Sequence, residues 1–274
     1  MTARGAWAAL ALVCGAGAAS SAQAADATRW QVEAGIGSDR LSNGAPAWTQ
    51  LDLALRHRLA PRSMAELGLR RTERSNRADA EIAASLSLPL DAQWSAALAA
   101  TLSPSHHVLA RGSGRATLAR AFEGGWVATA DVGRRVFEQG GTTLLEIGGE
   151  RYVGDWRFAA SVGQTRLDAG GGSAASGRLQ FDRFFDGERG RIGLILARGR
   201  ELEGLPATAL SPQDVIDQRV TSVALVGVWP LAPAWGLAWE ASRLRYDDLR
   251  RRSGAAAGQP YQRSGVRVGV RHDF

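Results

Sequence analysis

The sequence predicts an all-β chain, a transmembrane antiparallel β-barrel of about fourteen strands within a range of roughly twelve to sixteen. Three observations predict it. Apolar residues recur at every second position from residue 30 onward, the period of a strand with one apolar face. The links between these segments are alternately short and long. Aromatic residues gather at the segment ends that abut the short links. The length of 274 residues suits one large β unit. No run after Ala24 approaches the roughly 18 apolar residues that a spanning helix needs.

The chain opens with Arg4, the apolar run from Ala6 through Trp7 and Leu10 to Val13, and small residues ending Ala22-Gln23-Ala24. This is the pattern of a secretory signal peptide, so residues 1–24 are expected to be cleaved and 25–274 to form the barrel. The single cysteine, Cys14, lies inside the leader, and Val13 before it is branched where lipoprotein processing wants a small residue. A mature chain without cysteine excludes a disulfide framework and Cys-ligated zinc. All 33 basic residues are arginine, set against 27 acidic ones. They are interspersed along the chain and form no basic arm, so no nucleic-acid partner is expected.

The strands follow in order. Trp30-Val32-Ala34-Ile36 opens the series, then Leu51-Leu53-Leu55, Ala65-Leu67-Leu69, Ala80-Ile82-Ala84-Leu86 and Trp94-Ala96-Leu98-Ala100-Leu102. The sixth is the weakest, carried by Ala116, Leu118 and Phe122 with Arg120 in the apolar phase. Trp126-Ala128-Ala130-Val132, Leu145-Ile147, Trp156-Phe158-Ala160-Val162, Leu179-Phe181 and Ile192-Leu194-Leu196 continue. Val223-Leu225-Gly227-Trp229, Trp235-Leu237-Trp239-Ala241 and Val266-Val268-Val270 close it. Each segment is roughly ten residues, the length of a tilted membrane strand.

A soluble sandwich would share this alternation, and the links separate the two. Those at 60–61, 89–91, 123–125, 153–155, 186–188 and 230–233 are short, whereas 38–47, 168–176, 200–218 and 247–260 are long. Short turns on one side and long loops on the other are the rule for bacterial outer-membrane barrels, with both termini on the periplasmic side. In that topology Trp30, Trp94, Trp126, Trp156, Trp229 and Trp235 all fall at the periplasmic interface, together with Phe122 and Phe185. They share the apolar parity and form an outward girdle where headgroup meets hydrocarbon. Phe274 ends an alternating tail, which resembles the signal read by the barrel-assembly machinery.

The opposite parity is small or charged. The inward candidates are Arg56, Arg70, Arg135, Arg157, Arg178, Arg267 and Arg271, with Asp52, Glu66, Glu81, Asp131, Glu146 and Glu240. Asp79, Glu150 and Asp182 share that parity. Such charges either pair across strands to fill the interior or line a water-filled passage. A barrel of about fourteen strands is wider than the roughly eight-stranded ones that side chains fill.

No catalytic, cofactor or metal site is assigned. Ser105-His106-His107 in an external loop offers a Ser–His nucleophile for an outer-membrane lipid hydrolase, without an orienting acid in the sequence. Two adjacent histidines alone make no metal site. His57 carries no motif, and His272 falls at the interface. Gly170-Gly171-Gly172 lacks the lysine and strand–helix context of a phosphate loop. Arg250-Arg251-Arg252 beside Asp247-Asp248 is expected in an external loop, where arginine could engage lipopolysaccharide phosphates.

With the first strand followed by Trp48 and Leu51-Asp52-Leu53, then Pro61-Arg62 at the first short turn, the chain resembles the YaiO family of outer-membrane barrels. Glu150-Arg151-Tyr152-Val153-Gly154-Asp155-Trp156-Arg157 is the most specific block, and the ending from Ser264-Gly265-Val266 to Phe274 completes the match. The resemblance spans Trp30 to Phe274 and implies a non-enzymatic barrel of the Gram-negative outer membrane with an envelope or exopolysaccharide role. Outer-membrane lipids, lipopolysaccharide, the assembly machinery and polysaccharide-export components are the expected partners. The expected function is passage of a polar solute or glycan. The alternatives are a closed barrel contacting lipopolysaccharide through loops 200–218 and 247–260, and the lipid hydrolase.

Overall fold

A computed structural model describes residues 30–74, 77–107, 109–137, 140–168, 172–204, 215–251 and 259–274. The expected leader 1–24, the tip of the 200–218 link and Arg252 lie outside the described residues. The strands are β1 (Trp30–Leu41), β2 (Trp48–Ala60), β3 (Ser63–Arg74), β4 (Arg77–Pro89), β5 (Trp94–Leu102), β6 (Gly112–Phe122) and β7 (Trp126–Phe137). They continue as β8 (Gly140–Val153), β9 (Trp156–Leu167), β10 (Ser173–Phe185), β11 (Gly190–Gly204), β12 (Val215–Ala232), β13 (Trp235–Arg251) and β14 (Tyr261–Asp273). Each pairs antiparallel with its sequence neighbours, and β1 with β14 closes the barrel, so no strand edge is left unpaired.

The registers set the barrel's dimensions. A line leaving β1 at Trp30 passes His57, Ala65 and Leu86 and, carried on at the same registers, returns to β1 at the level of Gly44. The shift per circuit is 44 − 30 = 14 residues, equal to the number of strands. With about 3.3 Å per residue and about 4.8 Å between strands, the strands tilt by roughly 35° around a backbone radius of roughly 13 Å. Each strand therefore steps one residue, about 2.7 Å in height, relative to the next, which puts every residue on a common level.

On that scale Trp30, Trp94, Phe122, Trp126, Trp156, Phe185, Trp229, Trp235 and Phe274 fall within three consecutive levels, at the end of the short turns. Above them the same parity carries the exposed band of Ile36, Leu53, Leu67, Ile82, Leu98, Ile147, Val162 and Val268. The short turns rely on left-handed backbone: Gly154 has φ 55°, and Asp186, Gly187 and Glu188 all have φ between 53° and 70°. In the turn between β4 and β5, Asp91 accepts from the N–H groups of Trp94 and Gln93, each at 2.7 Å. These two donors, Trp94 first, hold its carboxyl below the usual carboxylate range.

Two expectations about the long side need correction. The links there are shorter than the alternation suggested: β1 runs to Leu41, β10 begins at Ser173, and β11 and β12 stay paired out to Gly204↔Val215. Asp247 and residues up to Arg251 belong to β13 and not to a loop. A backbone ladder is indifferent to side-chain polarity, so it continues after both faces have become polar and the period-two signal has faded.

Candidate functional site

The interior carries the charged residues. Asp52 and Arg56 on β2, Glu66 and Arg70 on β3, Glu81 on β4, Asp131 and Arg135 on β7 and Glu146 on β8 lie on the less exposed parity. So do Arg157 on β9, Arg178 on β10, Glu240 on β13, and Arg267 and Arg271 on β14. Gly68, Ala83 and Ser161 alternate among them on the same face. Strand parity alone places the set, because side chains i and i+2 share a face.

Most of these charges meet across neighbouring strands. Arg56 bridges Glu33 at 3.0 Å and Glu66 at 2.6 Å, and Arg70 bridges Asp52 at 2.7 Å and Glu81 at 3.3 Å. Arg115 reaches Asp131 at 2.8 Å and Glu146 at 3.6 Å. Arg267 lies 3.7 Å from Glu240 and donates to Gln50 Oε1 at 2.9 Å, while Arg271 lies 3.8 Å from Asp273. The most enclosed group is Arg157, whose side chain is 7% exposed. It donates to both Glu150 oxygens, at 2.9 and 2.6 Å, and to Asp182 Oδ2 at 2.9 Å. Tyr152 Oη and Gln180 Nε2 complete this knot by donating to Glu150 and Asp182.

Arg178 and Arg191, both on the inward parity, stand outside the pairing. Arg178 donates to Gln180 Oε1 at 2.7 Å, and among the described residues it forms no ion pair. Arg191, which the sequence reading passed over, also forms none among the described residues. Its signal was present: it sits one residue before Ile192 and so takes the inward parity of β11. Arg115 was missed in the same way, one residue before Ala116. Phe184 is opposite Arg191, and 184 − 178 = 6 residues separate it from Arg178, so the two cations stand roughly 20 Å apart along one wall.

The end away from the short turns is packed. Leu41, Trp48, Thr72, Asp79, Ser103, Ala174, Val220, Leu244, Tyr246 and Arg263 are all buried there, within a few levels of one another. Trp48 lies under the guanidiniums of Arg74 and Arg263, at 4.2 and 5.1 Å from its ring centre. Tyr246 stacks on Tyr261 at 4.5 Å. The 103–111 segment is tied down by Asp79, which is fully buried and accepts from His107 N at 2.9 Å and Leu109 N at 2.8 Å. The His107 ring also meets Asp79, at 3.0 Å, whereas Ser105 Oγ accepts from Ala80 N–H and His106 Nδ1 faces the Pro104 carbonyl oxygen. The hydrogen bonds of these side chains thus run to β4 and to the loop's own backbone.

At the opposite rim several aromatics carry arginine. Arg120 lies over Trp94 at 5.3 Å, Arg151 over Trp126 at 4.6 Å and Arg183 over Trp156 at 5.5 Å. This accounts for Arg120 in an apolar phase: its guanidinium lies against the aromatic ring face. His272 meets Trp235 at 4.2 Å and Phe274 at 4.4 Å.

Solved outer-membrane barrels share this architecture. The chain is similar to a protein described as the CymD monoaromatic hydrocarbon channel, with a TM-score of 0.54, 9% identity, and coverage of 90% of this chain and 88% of that one. It is similar to a bacterial polysaccharide outer membrane secretin, at TM-score 0.52, 9% identity and coverage of 90% and 99%. The fold is that of outer-membrane β-barrels. An anion-selective porin from Comamonas acidovorans also aligns, at TM-score 0.48, 13% identity and coverage of 89% and 98%. No family model matches the chain, and no curated protein matches it. At such identities the likeness extends to the fold and no further.

Proposed function

We propose that this protein is a non-enzymatic barrel of the Gram-negative outer membrane that passes a polar, acidic solute, an acidic oligosaccharide being the favoured class. The observation that carries the reading is the pair Arg178 and Arg191, two cations that form no ion pair among the described residues in an interior whose other charges are mostly matched. Matched pairs present little net field to a solute, whereas an unmatched guanidinium offers a bidentate donor for carboxylate or phosphate. The spacing along one wall makes them successive holding points. The YaiO resemblance, with its exopolysaccharide association, is in keeping with this class of solute. In this reading the 1–24 leader directs export and the barrel-assembly machinery inserts the chain on its Phe274 tail, while the YaiO resemblance adds polysaccharide-export components as partners.

The test is planar-bilayer conductance of the refolded barrel across a potassium chloride gradient, with oligogalacturonate and neutral maltooligosaccharide as blockers. Anion-biased reversal potential and preferential block by the acidic sugar are expected. The double variant Arg178→Gln/Arg191→Gln should move the reversal potential towards zero. An unchanged reversal potential in that variant, or a cation bias in the parent, removes the role given to these residues.

The packed collar around Trp48, Asp79 and Tyr246 favours a second reading, a barrel closed at its outer mouth. A silent bilayer from protein that still shows heat-modifiable gel mobility would select it.

A further inference from the structure

The apolar parity does not end in neutral residues on the long-loop side. Eight levels above Trp30, about 22 Å at about 2.7 Å per level, it carries Arg71, Arg134, Arg198 and Arg243. Two levels higher it carries Arg40, Arg166, Arg200 and Arg245. All eight are exposed. The height matches the roughly 25 Å apolar band of an outer-membrane barrel, so the arginines ring its outer edge.

The ring is not uniform. Arg134 is occupied by a bidentate ion pair with Asp168, whose carboxyl its guanidinium holds below the usual range. Arg71 is followed on its own face by the exposed carboxylate Glu73. On β11 to β13 the balance differs. Arg198 is opposite Thr221, which is opposite Arg245, so two arginines flank one threonine at roughly 10 Å between their Cα atoms. Arg243 follows on the same face of β13, donating to Gln262, and Arg245 donates to Asp247 at 2.9 Å. Among the described residues one carboxylate thus serves three exposed guanidiniums.

A second feature lies directly beneath. A groove of about 1000 Å³ runs from β8 to β14 with Arg198, Arg243 and Arg245 on its margin. Small residues Ala160 and Gly177 leave its floor low, and Val162, Leu179, Leu196 and Val223 form its apolar walls.

We propose that Arg198, Arg243 and Arg245 form a site on the outward face for a phosphate of a multi-acylated, phosphorylated glycolipid of the outer leaflet, with an acyl chain in the groove below. Arginine matches phosphate bidentately, and the apolar groove favours a ligand that also carries a hydrocarbon part. The site lies on the barrel wall, apart from the loops considered above. The proposal rests on the reading that the barrel spans the outer membrane.

The test is native mass spectrometry of the detergent-refolded barrel with diphosphorylated lipid A, dephosphorylated lipid A and inorganic phosphate as separate probes. Retention of the diphosphorylated lipid alone is expected. Arg198→Gln/Arg243→Gln/Arg245→Gln should weaken it by roughly tenfold or more, one charge-assisted hydrogen bond already being of that order. Arg71→Gln, on β3 and five strands from β12, should leave retention unchanged. Equal retention of both lipids, binding of inorganic phosphate to the same degree, or unchanged retention in the triple variant overturns the proposal. Heat-modifiable mobility of every variant separates this from misfolding. A parent that stays soluble without detergent refutes the membrane reading and the site together, whereas a well-folded barrel that ignores lipid A refutes the site alone.

Discussion

Replacing Arg157 by methionine should destabilise the barrel by about 3–5 kcal/mol, the range for removing one partner of a buried ion pair. The side chain is 7% exposed, and its two partners are 14% and fully buried, so solvent screening is small. Methionine fills much of the same volume but supplies none of the three N–H donors now at 2.6 to 2.9 Å from Glu150 and Asp182. Both carboxylates then remain enclosed without a cation, and that residue of unpaired charge sets the cost. The change amounts to roughly two to four powers of ten in the folding equilibrium. The assay is urea unfolding of the barrel refolded in phosphatidylcholine vesicles, followed by tryptophan fluorescence. Arg157→Met combined with Glu150→Gln and Asp182→Asn should recover most of the loss, because removing a whole buried network is often close to neutral. A loss below about 1 kcal/mol in the single variant would refute the reasoning, since it would mean that water reaches these groups freely.

Asp79→Ala should free the 103–111 segment, which loses three acceptor contacts; faster amide exchange at His107 and Leu109, with β4 still protected, is the expected readout. Unchanged exchange would show that other contacts hold the loop. Asp91 titrates below its unfolded value, so its contribution to stability is present above the unfolded pKa and is lost as pH falls through the depressed folded one. The urea midpoints of parent and Asp91→Ala should therefore differ at pH 7 and converge in acid. A gap that persists at the lowest pH would assign the effect to something other than the carboxylate.

Much of this architecture was legible in the sequence. Because side chains on a strand alternate faces strictly, one apolar residue in each segment assigns the side of every neighbour. That is why the sequence assigns Asp52, Glu66, Arg157 and Arg267 to one face, and why the count of period-two segments yielded the strand number and the link lengths the topology. Arg191 and Arg115 were equally readable, each one residue before an outward apolar position. The outer ends of the strands were less so, since Leu202 to Gly204 continue a ladder that leaves no side-chain signature.

What the sequence could not determine were relations between strands. Alternation fixes a face but not a height, and height comes only from register: the shift of fourteen residues per circuit brings the aromatics onto one rim and sets Arg198 beside Arg245 across Thr221. Nor does parity tell a paired charge from an unpaired one. Arg157 and Arg178 look alike along the chain, yet one reaches two carboxylates and the other a glutamine. That distinction depends on which side chains face each other across about 5 Å of strand spacing, and only the closed sheet decides it.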